Sequence, residues 1–263
     1  ELAIALERGR LRADLERAAT RDSLTGLRNL HELTKRLQEL LELDAQQGVV
    51  LAAVAVDSFR EVNDTLGHEV GDELLLEVTA RLKRAVPGAL IGRIGGGRFA
   101  VAVRADMAGG DPEMFGLNLR AHVEGSAQLG PVGTDIRLSV GVVRAPEHGN
   151  DAATLVRRAE TAMYSARHAH GGPVLWEPAY EVKGQRRLAV VTALREALTG
   201  GAIGVAFQPK VEAATGRVSG VEALARWTHP ALGAVRPDEF VPLAEASGLM
   251  GALTSTVLRQ SLT

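Results

Sequence analysis

The chain has 263 residues, 46% of them hydrophobic and 24% charged, the composition of a soluble globular protein of one large or two ordinary domains. The formal net charge of -2 argues against the broad positive stripe that general nucleic-acid binding requires. There are no cysteines, which excludes disulfides, zinc–thiolate sites and thiol catalysis and fits a reducing cytoplasm.

Residues 1 to about 20 read as a charged amphipathic helix. Ile4, Leu11, Leu15 and Ala18 fall on heptad-like spacing, so this helix could pair two chains in parallel or dock on its own domain. No apolar run reaches the length of about 20 residues that spans a bilayer, and nothing at the start resembles a secretory signal. The chain starts at Glu1 rather than Met, so the expectation is an excised fragment, with any membrane or sensor segment lying upstream. The expected location is the cytoplasm, with tethering to the inner membrane only through such an upstream segment.

Asp22-Ser23-Leu24-Thr25-Gly26-Leu27 breaks the first helix, and Asn29 is a candidate N-cap for a second helix reaching Leu43. The unbroken apolar run Val49 to Val56 predicts a central strand covered on both faces. A helix over Glu69 to Ala85 ends at Pro87-Gly88. Leu90 to Ile94, a Gly95-Gly96-Gly97 turn and Arg98 to Val103 predict a hairpin. A helix follows Asp111-Pro112, Ile136 to Val143 reads as a strand, Asp151 to His168 as a helix, and Val174-Leu175-Trp176 as a closing strand. Strands alternating with helices, plus one hairpin, predict an α/β domain with a mixed central sheet flanked by helices.

A boundary is expected near Glu177 to Gln185, with 178–186 as linker. Beyond it the pattern predicts a helix from Arg187 to Leu198, then strands Ile203 to Lys210 and Val218 to Ala225 around a Thr215-Gly216 turn. Helices near Pro237 to Ala246 and Gly251 to Leu262 follow. This reads as the start of a βα repeat domain, with Glu222 near the end of its strand.

Three segments in this order and spacing resemble the GGDEF family of diguanylate cyclases over residues 21 to 177. They are Asp22 to Asn29, Val56 to Asp72 (VDSFREVNDTLGHEVGD), and Arg93-Ile94-Gly95-Gly96-Gly97-Arg98-Phe99. The resemblance implies a dimer in which two GTP molecules meet and each 3'-hydroxyl attacks the other's α-phosphate. Magnesium held by carboxylates offsets the phosphate charge. One carboxylate is supplied by the end of the central strand and another by the third position of the hairpin turn. Here those positions are Ala55 and Gly97, and Arg98 stands at the next acid position. Synthesis of cyclic di-GMP is therefore not expected. A residual cyclase would need a metal site rebuilt from Asp57 or Asp64.

The family's guanine-contacting positions match Asn63 and Asp72, both unchanged; the alternative is that they only cap turns and the following helix. Phe59 and Arg60 fall on the loop that cups the phosphates. Arg167 replaces a family lysine there, and Gly171 stands where an arginine is usual. GTP or a related guanine nucleotide is the implied, weakly held ligand. The product-feedback motif, Arg-x-x-Asp in many members, is represented by Val86 and Ala89, so such feedback is not expected.

Phe207-Gln208-Pro209-Lys210-Val211, Gly220-Val221-Glu222-Ala223-Leu224-Ala225-Arg226-Trp227, His229-Pro230 and Phe240 to Glu245 resemble the EAL family over residues 187 to 263. That family has a modified TIM-type barrel and hydrolyses cyclic di-GMP to pGpG. The resemblance implies Glu222 as first metal ligand, Arg226 as a phosphate contact and Gln208 at the mouth. A complete domain implies Mg2+ or Mn2+. One carboxylate builds no two-metal site, so these residues alone are expected to be inactive, and no cofactor is assigned to them. Three readings follow: a regulatory module, a purely structural dimerisation module, or a passenger beside a working phosphodiesterase.

Overall fold

A computed structural model describes residues 18–44, 47–169 and 171–262. The expected pairing helix at 1–20 lies almost wholly outside the described residues. The chain divides into two compact units between Tyr180 and Glu181.

In the first unit, helix α1 (Leu30–Leu43) begins where Asn29 accepts a hydrogen bond from the Glu32 amide at 3.0 Å. It buries Leu33, Leu37 and Leu41 on one face. Strand β1 (Val49–Val56) is buried along its whole length. A short helix α2 (Phe59–Leu66) and a long helix α3 (His68–Ala85) follow. Next come the hairpin strands β2 (Leu90–Gly95) and β3 (Arg98–Arg104) and helix α4 (Pro112–Val123). A two-stranded hairpin, β4 (Gly125–Leu129) and β5 (Val132–Ile136), precedes strand β6 (Leu138–Ala145). Helix α5 (Ala152–Ala169) and strand β7 (Val174–Leu175) complete the unit.

The central sheet has the order β2-β3-β1-β6-β7. β1 is antiparallel to both β3 and β6, and only β6 and β7 run parallel, so the sheet is mixed as the sequence pattern predicts. Strand periodicity divides the core in two. Val50, Ala52, Val54 and Val56 face α3 and α4 through Leu74, Leu75, Val78, Phe115 and Leu119. Val49, Leu51, Ala53 and Ala55 pack with Leu33 and Leu37 of α1 and Leu155 and Ala159 of α5. Each such buried leucine contributes about 2 kcal/mol of transfer free energy. A continuous apolar strand is what two covered faces require.

Three features differ from expectation. Helix α2 was not expected as an element of its own: it has only eight residues, and Phe59 and Val62 pack against the core only partly buried. The β4–β5 hairpin buries only Ala127, Leu129 and Ile136, so its alternation is faint and Ile136 belongs to β5; the following strand starts at Leu138. The segment 178–186, expected as linker ahead of a helix from Arg187, is itself the first part of helix α6 (Pro178–Gly200), and the boundary between the units falls within it.

The second unit carries β8 (Ile203–Val211), β9 (Val218–His229) and β10 (Gly233–Val235), then helices α7 (Pro237–Ala246) and α8 (Met250–Ser261). Its strands form an antiparallel sheet in the order β10-β9-β8. The opening is a hairpin, as the two strands around the Thr215-Gly216 turn imply: nine residues of β8 pair directly with β9. Val190, Leu194, Ile203, Trp227 and Phe240 make its core, with the Trp227 and Phe240 rings edge-on at 5.6 Å. Among the described residues no helix is long and apolar enough to cross a membrane.

Candidate functional site

The site is built around the end of β1. The Val56 amide donates to the Gly97 carbonyl at 2.8 Å and the Asp57 amide to the Arg137 carbonyl at 2.9 Å. The strand end is thus fixed between the glycine turn and the start of β6. The chain then turns sharply: Ser58 adopts φ 55°, a left-handed conformation that costs a non-glycine residue free energy, and α2 starts without a side-chain cap.

That turn sets the Phe59 ring against Gly97. A Cβ at position 97 would lie 2.8 Å from Phe59 Cγ and 2.9 Å from its Cβ, closer than real contacts allow. Ala55 is only 3% exposed and lies in the apolar cluster with Leu33 and Leu37. Arg98 is held away by an ion pair to Glu160 of α5 at 2.7 Å and a bond to the Gly95 carbonyl. Asp57 accepts from the Ser139 hydroxyl at 2.7 Å and is ion-paired with Arg167 at 3.4 Å, so it is not a free ligand. Among the described residues, no three of His, Asp and Glu converge as a metal group. The residues present do not fit the divalent cation of cyclase chemistry: one expected ligand position holds a methyl in apolar packing, and the Phe59 ring lies against the other.

The two positions expected to contact guanine are different. Asn63 is half-buried on α2, and Asp72 is exposed on α3. A Cβ on Gly71 would fall 1.8 Å from Asn63 Oδ1, so the amide occupies the space that this glycine leaves, next to Asp72 in sequence. Helix α3 is capped by Gly67 with no side-chain bond, so neither residue serves as its N-cap. Arg60 is exposed on the first turn of α2, with no ion pair among the described residues. Arg167 donates to the Val56 carbonyl at 3.2 Å as well as to Asp57. The Gly171 carbonyl accepts from Arg120 at 2.7 Å.

One brace escaped sequence reasoning. Arg93, just before the glycine turn, donates to both Asp22 oxygens at 3.0 and 3.1 Å and to the Gly96 carbonyl at 3.0 Å. Asp22 also accepts from the Thr25 amide and hydroxyl at 2.8 and 2.6 Å. Burial pushes the Asp22 carboxyl up. The Thr25 hydrogen bonds and the Arg93 guanidinium outweigh it and hold the group below its ordinary value. A depressed carboxyl contributes stability above its unfolded pKa and loses it as pH falls through its folded value. Asp22→Asn is therefore expected to cost about 1 kcal/mol at neutral pH. In urea unfolding at several pH values, that difference should shrink as pH drops below about 4.

In the second unit Gln208 stands directly opposite Glu222 in the β8–β9 register, and Arg226 follows on the same face of β9. Glu222 is the fifth of twelve strand residues, not near a strand end, because β9 continues past Ala225 to His229. Its nearest charged partner is Lys210 at 3.5 Å, both side chains more than half exposed, so the pair contributes little. Arg226 donates to its neighbour's carbonyl, Ala225.

A family model for the diguanylate cyclase GGDEF domain matches residues 19–172, and one for the EAL domain matches residues 191–263. An uncharacterized signaling protein of Caulobacter vibrioides is 35% identical over 253 residues, which cover 92% of this chain and 31% of that protein. The bifunctional diguanylate cyclase/cyclic di-GMP phosphodiesterase MucR of Pseudomonas aeruginosa is 32% identical over 263 residues, covering 98% of this chain and 38% of MucR. The GGDEF domain of Pseudomonas aeruginosa YfiN (TpbB) superposes with a TM-score of 0.58 at 29% identity, over 63% of this chain and 99% of that one. The chain thus spans about a third of the length of the curated relatives it matches.

Proposed function

The chain belongs to the GGDEF family and continues into residues of the EAL family, and from that premise we propose that it is a regulatory module of cyclic di-GMP signalling. Its GGDEF domain reads guanine nucleotide without turning it over. It passes that state to an EAL phosphodiesterase of the parent protein, which hydrolyses cyclic di-GMP to pGpG with Mg2+ or Mn2+. The parent works on the cytoplasmic side, where GTP is available, as a homodimer.

The observation that carries this reading is a split within one motif. The ligand positions 55 and 97 are closed by apolar packing. Asn63 and Asp72 are not used as caps, and Asn63 is seated in the gap that Gly71 leaves. A carboxylate accepts from the guanine N1–H and N2–H groups, and an amide can both donate to and accept from the same base. Adenine has no N1–H, so this pair discriminates between purines. On the EAL side, Gln208, Glu222 and Arg226 share one sheet face, which supports their assignment to a substrate surface.

Calorimetric titration of GTP into the protein and into its Asn63→Ala/Asp72→Ala variant tests the reading. Saturable heat that the variant loses is expected. Equal heats in both, or none in the wild type, would leave coupling through a structural role as the better account.

A further inference from the structure

We propose that the site takes guanine nucleotide as the metal-free polyphosphate, with the Arg167 guanidinium, docked on the end of β1, supplying positive charge that a divalent cation would otherwise bring. The inference rests on the nucleotide-binding reading above and deepens it.

A backbone carbonyl and a carboxylate at a strand end are hard oxygen donors, the kind a magnesium ion takes. Here Val56 and Asp57 offer both, and Arg167 occupies both, at 3.2 and 3.4 Å. A guanidinium has five N–H donors and keeps its charge under all ordinary conditions. Two of them are committed to the strand end. Three remain, on a side chain that is 43% exposed. The Phe59 ring against Gly97 closes the side from which a further oxygen ligand would come. Arg60, on the first turn of α2, is a second guanidinium with no ion pair among the described residues.

Together these two arginines carry the same formal charge as one magnesium ion. They deliver it through planar forks that match phosphate oxygens. Asp57 keeps its bond from Ser139 whichever way Arg167 turns, so its carboxylate stays partnered when the guanidinium engages phosphate. Magnesium already bound to the nucleotide would compete with the arginines for the same oxygens and add like charge beside them. Loss of metal is therefore not expected to weaken binding.

The test is GTP titration by calorimetry into the whole chain, in EDTA and in magnesium, for the wild type and Arg167→Ala, with thermal melts to verify folding. The wild type is expected to bind at least as tightly in EDTA as in magnesium. Arg167→Ala is expected to weaken binding in EDTA about tenfold or more. The EDTA comparison on the wild type stands by itself if the variant melts early. Binding that requires magnesium, or a folded Arg167→Ala that binds like the wild type, overturns this inference and leaves the guanine-reading site in place. No binding in either buffer removes that reading, and this inference with it.

Discussion

Incubated with GTP and magnesium, the purified protein is expected to release no cyclic di-GMP above a blank without protein. The transferring phosphate needs its growing charge held by groups already in position, and removing one such group typically costs about a hundredfold or more in rate. The two positions where the family resemblance implies carboxylates are Ala55 and Gly97, and Arg98, at the next implied acid position, is tied to Glu160. Nor is the loss reversible one residue at a time. Gly97→Glu would place its Cβ within 3.0 Å of three Phe59 atoms, so the ring must move before the new carboxylate can reach the site. Ala55 would still offer only a methyl to the second ligand position. Gly97→Glu alone is therefore expected to stay at the blank level in product chromatography. Magnesium-dependent product from the unmodified protein would overturn the assignment of these positions.

The largest stability effect is expected at a different glycine. Gly141, in the middle of β6, is overlain by the backbone of α5. A Cβ there would sit 1.9 Å from the Met163 amide nitrogen, 2.3 Å from the Ala159 carbonyl oxygen and 2.6 Å from the Ala162 carbonyl carbon. These are main-chain atoms of a long helix, so no rotamer change relieves the overlap. The helix must lift from the sheet and lose packing around Leu155, Ala159 and Ala162. Gly141→Ala is expected to cost more than about 3 kcal/mol in urea unfolding. Gly133→Ala is the control: it meets only the end of the Gln128 side chain at 3.6 Å, an ordinary contact, and should change stability by less than about 1 kcal/mol. Equal effects at the two positions would contradict the close strand–helix packing.

The parts of the fold legible from sequence were those with a strong local signal. Val49 to Val56 is apolar at every position and is buried at every position. Asn29 announces α1 and caps it. What escaped was short: α2 has eight residues and none fully buried, and β4–β5 has few inward residues. The β8–β9 pair was legible as two strands around the Thr215-Gly216 turn, a connection too short for anything but antiparallel pairing; the extension of β9 past Ala225 to His229 was not.

The site divides in the same way. The motif spacing located Asn63, Asp72, Ala55 and Gly97 in the sequence. Contacts between distant segments were out of reach: Phe59 against Gly97, Arg93 reaching Asp22 across 71 residues, and Arg167 reaching Val56 across 111. Residue identity said that the metal ligands were missing. Only the packing shows the Phe59 ring against Gly97 and the Arg167 guanidinium on the Val56 carbonyl and Asp57.

Equilibrium dialysis against equal GTP and ATP with magnesium, with chromatography of both chambers, tests the central claim most directly: guanine is read, and no chemistry follows. Intact GTP is expected to be enriched over ATP on the protein side, with no cyclic dinucleotide in either chamber. Equal partition of the two purines, or any cyclic di-GMP, would contradict it.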